Sequence, residues 1–270
     1  MHIAQQVLST QIRKLEEQVG APLFDRSTHH VALTPAGTAL LAAARTALEA
    51  LEDGVKEARE AAETTEQRLR IGFLAQGMNE LQPTMLRELR RRHPQLRLTM
   101  RSYPFTDPLA GLLSGESDVA FLRHPPAHRS VRLKRLLEEN RICMVPADHP
   151  LAERDALRPQ DLAGLPMIAV RGYDTDPVVR AWTAAHALVD LLGERPVGAI
   201  IETPEEWLQA AEDGLGFTTT PESVTRFYPR PGIRPVPMTG VSPLAVSIGW
   251  RKELGQDPVV RDLVALAQDS

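Results

Sequence analysis

The sequence predicts an α/β protein with a small helical amino-terminal module, one long helix and two α/β lobes. Apolar residues recur at helical spacing in the first segment and in a heptad pattern in the next. From residue 68 onward, strand-like runs alternate with helix-like runs. Repeated β-α-β order implies a parallel sheet with right-handed crossovers. We therefore place the domains at 1–36, 37–66 and 68–270.

The first segment has the pattern of an amphipathic helix. Its apolar stripe is formed by Leu8, Ile12, Leu15 and Val19, and Gly20 stands where the helix would end. The opposite face carries side chains whose donors and acceptors can read base edges or hold phosphates. These are Gln5, Gln6, Ser9, Thr10 and Arg13. A helix face that is only exposed to solvent can have the same composition. This face alone therefore does not distinguish a DNA-binding helix from an ordinary surface helix.

A short hairpin and a long helix follow. The apolar runs "PLF" and "VAL" flank the polar tip "DRSTHH", as the two strands of a small wing would. Thr34 and Pro35 mark a helix start, as an N-cap hydroxyl and a first-turn proline. The heptad seam of this helix consists of Leu41, Ala44, Leu48, Leu51, Val55, Ala58 and Ala62. Because the seam is narrow and its flanks are charged, we favour a dimeric coiled coil over packing on the helix's own domain.

The rest of the chain alternates between strands and helices. Strands are predicted at 68–75, 96–104, 117–123, 131–139, 141–147, 167–172, 197–203, 214–221 and 243–250. Helices are predicted at 78–94, 105–116, 176–192, 204–213 and 258–268. We expect two lobes, with the chain crossing between them more than once.

Patterns typical of enzymes and metal sites are weak. The chain has no nucleophile elbow, phosphate-binding loop or dinucleotide-binding fingerprint. Its single cysteine, Cys143, lies in an apolar run and is expected to be a buried small residue rather than a nucleophile. His124 and His128 are four residues apart, but "HPPAH" is expected to be a loop rather than a helical metal site. We therefore expect no catalysis, metal or cofactor.

Strand ends give better support for ligand binding. In open α/β sheets, ligands lie beyond the carboxyl ends of strands and near helix amino termini. Several candidate positions end a strand or open a predicted helix: Ala75, Gln76, Gly77, Thr106, Arg123 and Thr203, with Thr218 to Thr220 at a further strand end. Thr106 has two interpretations, since a hydroxyl at a helix start either holds an anion or only caps the helix.

The bulk composition is that of a globular protein, with 43% hydrophobic and 24% charged residues. The formal net charge of -4 argues against a protein that coats nucleic acid nonspecifically, but not against a small DNA-reading module on an acidic domain. No apolar run approaches the roughly 20 residues that span a bilayer, and no secretory signal is present. Together with the single cysteine, these features predict a cytoplasmic protein.

Taken together, the parts resemble the LysR-type transcriptional regulators. "IAQQVLSTQIRKLEEQVGAPLFDRSTHHVALTPAG" is similar to the carboxyl-terminal part of that family's winged helix-turn-helix. "LRIGF", "SGESDVAFLR", "ADHPLA" and "AAEDGLGFTTTP" are similar to its strand and loop motifs. The resemblance implies a partial winged helix-turn-helix, a linker helix and a two-lobed effector domain like the periplasmic binding proteins. It also implies operator DNA, a small-molecule effector and a homodimer or homotetramer.

The resemblance assigns roles to individual residues. The DNA contacts that it implies are Gln5, Gln6, Ser9 and Thr10 in the major groove, Arg13 and Arg26 at phosphates, and His29 and His30 at the wing tip. The effector contacts that it implies are Ala75, Gln76, Gly77 and Thr106, with Thr203 facing them from the second lobe. The family usually has Ser or Thr where this chain has Gln76 and Gly77, so the resemblance does not identify the effector. The family also tends to have proline at the position of Gln6, within the reading helix.

Members of the family carry a first helix and most of a second before the segment at which Met1 stands. Those helices would cover the apolar stripe of the reading helix, where each fully buried side chain contributes about 1.5 to 3 kcal/mol. We therefore expect this polypeptide, as written, to bind its operator weakly or not at all. The alternative is a small-solute-binding sensor without DNA-binding activity. An enzyme on the same fold is a third possibility, for which the sequence offers no set of reacting groups.

Overall fold

The computed structural model describes residues 5–26, 31–63, 67–74 and 82–268. Two compact units divide the chain, Met1–Thr65 and Glu66–Ser270. The strands are β1 (Phe24–Arg26), β2 (Val31–Leu33), β3 (Arg68–Leu74), β4 (Arg97–Tyr103), β5 (Val119–Arg123), β6 (Val131–Glu139), β7 (Arg141–Pro146), β8 (Met167–Val170), β9 (Val197–Ile201), β10 (Thr219–Pro221), β11 (Ile233–Pro237) and β12 (Leu244–Arg251). The helices are α1 (Gln5–Val19), α2 (Pro35–Glu63), α3 (Gln82–Arg92), α4 (Pro177–His186), α5 (Val189–Leu192), α6 (Pro204–Glu212), α7 (Val224–Phe227) and α8 (Pro258–Gln268).

The first unit consists of α1, the β1–β2 hairpin and α2. Gly20 ends α1 with a φ of 74°, a left-handed conformation that glycine adopts at little cost. Phe24 pairs with Leu33 across the antiparallel hairpin, which confirms the predicted two-stranded wing. The start of the long helix at Pro35 is confirmed as well.

Side-chain and backbone contacts join the wing to both helices of this unit. The Thr34 hydroxyl accepts a hydrogen bond from the Gly37 N–H at 3.0 Å and donates one to the Pro22 carbonyl at 2.7 Å. Glu16 Oε1 accepts from the Leu23 N–H at 2.9 Å. A Cβ at Gly37 would lie 2.1 Å from the Leu23 carbonyl oxygen, so only glycine fits this approach of α2 to the wing.

The second unit begins with a five-stranded sheet in the order β4-β3-β5-β12-β6. Strand β3 runs parallel to β4 and β5, whereas β12 runs antiparallel to β5 and β6. The predicted parallel pairing is therefore confirmed for β3, β4 and β5, but it is wrong for β12, which pairs antiparallel with both of its neighbours. The chain leaves this lobe after β6 and returns only as β12, so β12 is not the end of a β-α-β crossover and takes the opposite direction. Helices α3 and α8 pack on the sheet through a core that includes Leu89, Leu263 and Phe121.

The second lobe contains an antiparallel sheet, β10-β7-β11, and a parallel pair, β8-β9. Strand β11 was not predicted, because its sequence contains Pro235 and Pro237. Proline is tolerated there because β11 lies at the edge of its sheet, where an N–H is not needed for pairing. The short helix α7 was also missed.

Two predicted helices are wrong or altered. Residues 105–116 form turns instead of a helix, since Asp107 accepts hydrogen bonds from the N–H groups of Leu109 and Gly111. Ala110 and Gly111 have left-handed φ angles of 49° and 79°, which no α-helix accommodates. The helix predicted at 176–192 is split into α4 and α5, because the buried Leu188 adopts a φ of 58° between them.

Candidate functional site

The second unit contains a cavity with about 720 Å³ of empty space, including its opening to solvent. Its lining includes the last residues of four strands, Leu74 of β3, Arg123 of β5, Val170 of β8 and Ile201 of β9. Pro204, the first residue of α6, also lines it. The cavity therefore lies where the sequence predicts a ligand site, beyond the carboxyl ends of strands and at a helix start.

Five aromatic side chains contribute to the wall of the cavity. Phe105 and Trp182 stack with ring centroids 5.1 Å apart, and both line the space together with Trp207, Phe227 and Tyr228. The Trp182 indole N–H donates to the Arg123 carbonyl at 3.0 Å, which joins α4 to the end of β5. The cavity is therefore an apolar site whose walls come from both lobes.

Arg123 brings a cation to the cavity, but a carboxylate already pairs with it. Its Nη1 lies 3.0 Å from Glu139 Oε1, and the two side chains are only 10% and 17% exposed. The other oxygen of Glu139 accepts from the Ser223 N–H at 3.1 Å. The buried positive charge of Arg123 is thus paired with Glu139, and the carboxylate of Glu139 also accepts a backbone hydrogen bond, as a buried ion pair requires.

His186 is the buried titratable group in the wall. Its Nδ1 lies 3.1 Å from the Thr219 carbonyl oxygen, which can only accept, so Nδ1 must carry the proton. Burial is the main cause that lowers the pKa of His186 to about 3, and the positive charges of Arg141 and Arg123 lower it further. The ring is therefore neutral near pH 7, and its Nε2 carries a lone pair.

Three polar atoms on the lining residues have no hydrogen-bond partner within the part of the chain that the structure describes. They are Thr183 Oγ1, His186 Nε2 and Trp207 Nε1, and their residues are 3%, 6% and 6% exposed. Buried polar groups in folded proteins nearly always have a partner. Each of the three atoms is shielded from solvent in this structure.

The structure places only some of the predicted effector residues at the cavity. Arg123 and the residues Thr218 to Thr220 line the cavity. Thr203 is the N-cap of α6, where its hydroxyl accepts from the Glu206 N–H at 3.3 Å. No helix begins at Thr106, so both interpretations that placed it at a helix start are wrong. Its role as an effector contact, like that of Thr203, stays a prediction.

The loop with Ala75, Gln76 and Gly77 lies outside the described residues, although Leu74 immediately before it lines the cavity. Sequence reasoning missed Trp182, Thr183 and His186 on α4, and Trp207 on α6. Both helices were predicted, but their spacing alone does not tell which face meets a cavity.

Six of the eight predicted DNA-reading residues lie on α1 or β1. Ser9, Thr10 and Arg13 are exposed on α1, and Gln5 and Gln6 belong to its first turn. Arg26 is the last residue of β1, whereas His29 and His30 lie outside the described residues. The DNA contacts of all eight residues stay predictions.

The heptad seam of α2 is exposed where the structure describes its side chains. Leu48 and Leu51 are 58% and 62% exposed, and Leu41 and Val55 are 38% and 42% exposed. Large apolar side chains at such regular spacing form a continuous uncovered stripe, which is the surface that a second helix covers in a coiled coil.

Candidates for reactive or metal-binding chemistry are few in the described ranges. Cys143 is buried in β7, and burial raises the pKa of its thiol to about 12, so it is not a thiolate near pH 7. "HPPAH" is a loop, as predicted. Among the described residues, no three His, Cys, Asp or Glu side chains are grouped as metal ligands. Within the same ranges, no helix combines the length and apolarity needed to cross a bilayer.

Each of the two units contains most of a segment that matches a known protein family. Residues 62–270 match the LysR substrate binding domain, and residues 1–38 match the bacterial regulatory helix-turn-helix protein of the lysR family. The Hca operon transcriptional activator HcaR of Escherichia coli K12 is 29% identical over 273 residues, which cover 100% of this chain and 90% of HcaR.

Solved structures share the fold at lower identity. A cysteine mutant of OxyR from Corynebacterium glutamicum has a TM-score of 0.57 and 24% identity, covering 99% of this chain and 84% of that chain. Full-length CbnR complexed with its target DNA has a TM-score of 0.54 and 22% identity, covering 99% and 90%. On the strength of both family matches, the chain belongs to the LysR family of DNA-binding transcription regulators, whose members respond to effectors.

Proposed function

We propose that this protein is a homodimeric or homotetrameric regulator that binds operator DNA and changes its DNA binding when a small molecule occupies the cavity of the second unit. The observation that carries the proposal is the cavity lined by five aromatic side chains at the carboxyl ends of β3, β5, β8 and β9, inside the segment that matches the LysR substrate binding domain. A pocket with apolar walls and a few directed polar groups is the usual form of a small-molecule site.

DNA reading is assigned to α1 and the wing. Ser9, Thr10 and Arg13 are all exposed on α1. Short hydroxyl side chains approach base edges closely, while the guanidinium of Arg13 holds a phosphate. CbnR, which shares the fold, is known in complex with its target DNA, and this supports the assignment.

Pairing of two copies is assigned to α2. Its exposed heptad seam would be covered by the same seam of a second copy, and two reading heads would then address two half-sites about one helical turn of DNA apart. A ligand that binds one conformation of the second unit more tightly shifts the population toward that conformation. The shift then changes how the paired heads meet the operator.

The protein acts by binding and not by catalysis, and it works in the cytoplasm where its operator is. Support for this comes from the relatives, which are transcription regulators, and from the buried and protonated state of Cys143. The competing function is a small-solute-binding sensor without DNA-binding activity. The cavity by itself is compatible with both functions.

The test begins with recovery of bound fragments from sheared genomic DNA by the full chain. Affinity for the enriched fragment is then measured by fluorescence anisotropy at several salt concentrations. We expect Arg13→Ala to weaken binding to all sequences and to reduce the salt slope by about 1, because one phosphate contact is lost. Gln18→Ala is the matched control, since Gln18 is exposed on another face of α1. If no sequence is enriched, the sensor without DNA binding is the better description.

A further inference from the structure

Apolar side chains form most of the described wall of the cavity. Besides the five aromatic side chains, the aliphatic ones that line it include Leu74, Ile168, Val170, Ile201 and Val224. A molecule that enters such a site exchanges contacts with water for contacts with apolar groups. An apolar molecule gains free energy from this exchange, whereas a charged group loses its hydration and needs a partner of opposite charge.

The described lining contains a single arginine, Arg123, and its charge is already compensated. Arg123 Nη1 lies 3.0 Å from Glu139 Oε1, and the two side chains are at most 17% exposed. A carboxylate ligand would have to approach this guanidinium beside a carboxylate of the same charge. It would therefore leave water without gaining an unpaired cation, which makes its burial unfavourable.

The segment that continues the chain from Leu74 adds no cation either. Residues 75–81 have the sequence AQGMNEL, which contains no lysine, arginine or histidine. Its only acidic or basic side chain is Glu80, whose charge has the same sign as a carboxylate ligand. This segment therefore cannot supply the positive charge that a bound anion would need.

A cationic ligand would meet charges of its own sign. Within the described residues, no Asp or Glu lines the cavity. Burial is the main cause that lowers the pKa of His186 to about 3, and the positive charges of Arg141 and Arg123 lower it further, so both guanidinium groups would also repel a cation beside this ring. Arg141 does not belong to the lining, and it donates to the Ala185 carbonyl at 3.0 Å and to the Thr219 hydroxyl at 2.8 Å.

We propose that the cavity binds an uncharged, apolar molecule and excludes carboxylates, because Glu139 neutralises the cation at its wall. This inference rests on the proposed function, in which the cavity is the effector site, and it adds the chemical class of the effector.

Three probes of nearly equal size compare the charges on the full chain. Nitrobenzene is uncharged and has the planar shape of benzoate, which is an anion, while benzylammonium is a cation. Nitrobenzene quenches tryptophan fluorescence on contact, so its binding is measured by saturable quenching and that of the two ions by displacement of nitrobenzene. We expect both ions to bind at least about tenfold more weakly than nitrobenzene, because a buried charge without a partner is not compensated for its lost hydration.

Trp250→Phe shows where nitrobenzene binds. The chain has three tryptophans, of which Trp182 and Trp207 line the cavity, whereas Trp250 lies on β12 outside the lining. The remaining fluorescence of this variant comes from the two lining residues, so saturable quenching should persist with the same affinity. Its loss would place the bound nitrobenzene away from the cavity.

Glu139→Gln tests the stated cause of the charge selection. The amide keeps the shape of the carboxylate and an oxygen for the Ser223 N–H, but it no longer neutralises Arg123. Benzoate should then bind at least about tenfold tighter than to the unmodified chain, while the affinity for nitrobenzene should change less than about threefold. Glu138→Gln is the matched control with unchanged affinities, because Glu138 precedes Glu139 on β6, pairs with Arg135 and has a side chain that is 46% exposed.

The outcomes separate the two proposals. If benzoate or benzylammonium binds the unmodified chain as tightly as nitrobenzene, the uncharged class is overturned while the cavity stands as a binding site. If Glu139→Gln folds and does not strengthen benzoate binding, the role of Glu139 is overturned. If no probe binds the folded chain, or if quenching is lost in Trp250→Phe, the apolar cavity is overturned and the effector half of the proposed function loses its support. Should Glu139→Gln fail to fold, the three probes on the unmodified chain still decide the class.

Discussion

Helices α2 and α8 both carry an apolar stripe at helical spacing, yet among the described residues only the stripe of α8 is covered. Along α8, Val259, Leu263 and Leu266 are at most 8% exposed, because the helix packs on α3 and the five-stranded sheet. Along α2, Leu48 and Leu51 are 58% and 62% exposed. Apolar periodicity thus predicts that a helix needs a partner surface, but it does not say whether that surface belongs to the same chain.

The difference lies in the length and the repeat of the two patterns. The 29-residue α2 keeps a heptad seam, which matches the supercoil of two facing helices. The 11-residue α8 presents a broader face, which suits packing on a sheet. Two measurements test this comparison and a third tests the burial of His186, in order from the largest expected effect to the smallest.

The first measurement places a charge in the seam of α2. Leu48→Glu should raise the dimer dissociation constant about 100-fold or more, because the burial of two leucines, roughly 1.5 to 3 kcal/mol each, is lost. Sedimentation velocity at decreasing concentration would show this as a shift toward the monomer. Ala43→Glu is the control, since Ala43 is exposed outside the seam. A Leu48→Glu protein that stays dimeric at every concentration would show that the seam is not the interface.

The second measurement truncates the covered helix. Leu263→Ala should lower the free energy of unfolding of the second unit by about 2 to 5 kcal/mol, because Leu263 is 0% exposed and its removal leaves a cavity. Urea unfolding followed by tryptophan fluorescence measures the change. The same substitution at Leu191, which is 54% exposed, should change stability by no more than about 0.5 kcal/mol. Equal losses at the two positions would contradict the assigned core.

The third measurement concerns the buried imidazole of His186. In the unfolded chain a histidine takes up a proton below about pH 6.5, whereas the folded protein holds this one neutral down to about pH 3. Its contribution to stability is therefore fully present above pH 6.5 and is lost as the pH falls, by roughly 2 kcal/mol at pH 5. The charged neighbours Arg123 and Arg141 act in the same direction.

His186→Phe has no such proton to gain, so its free energy of unfolding should fall less steeply than that of the unmodified chain between pH 7.5 and pH 5. Urea unfolding at several pH values compares the two slopes. Parallel curves would mean that His186 is already accessible to protons in the folded state.

Local signals in the sequence predicted several elements well. Thr34–Pro35 and Thr203–Pro204 each combine an N-cap with a first-turn proline, and a helix begins at both. The hydrogen bonds that set these starts join residues only a few positions apart. The prediction of a helix at 105–116 was wrong, and the cause is again local. Asp107 accepts a hydrogen bond from the Gly111 N–H and Gly111 has a left-handed φ, so the segment forms turns that apolar spacing does not reveal.

The candidate site was predictable only in its location. Strand ends indicate the rim of a sheet, and Arg123 at the end of β5 does line the cavity. The atoms that define its chemistry come from distant segments, since the Thr219 carbonyl holds His186 and the Arg123 carbonyl holds Trp182. No spacing rule connects residues so far apart along the chain.

The sequence alone determined the family, the first helix with its wing, the long heptad helix and the alternation of strands and helices in the second unit. These depend on contacts within a few residues or on regular periodicity, which the chain carries locally. The tertiary structure decided the antiparallel return of β12, the turns after β4 and the identity of the side chains that line the cavity. Those depend on which distant segments pack together, because burial and hydrogen-bond satisfaction are properties of the folded neighbourhood and not of any single stretch.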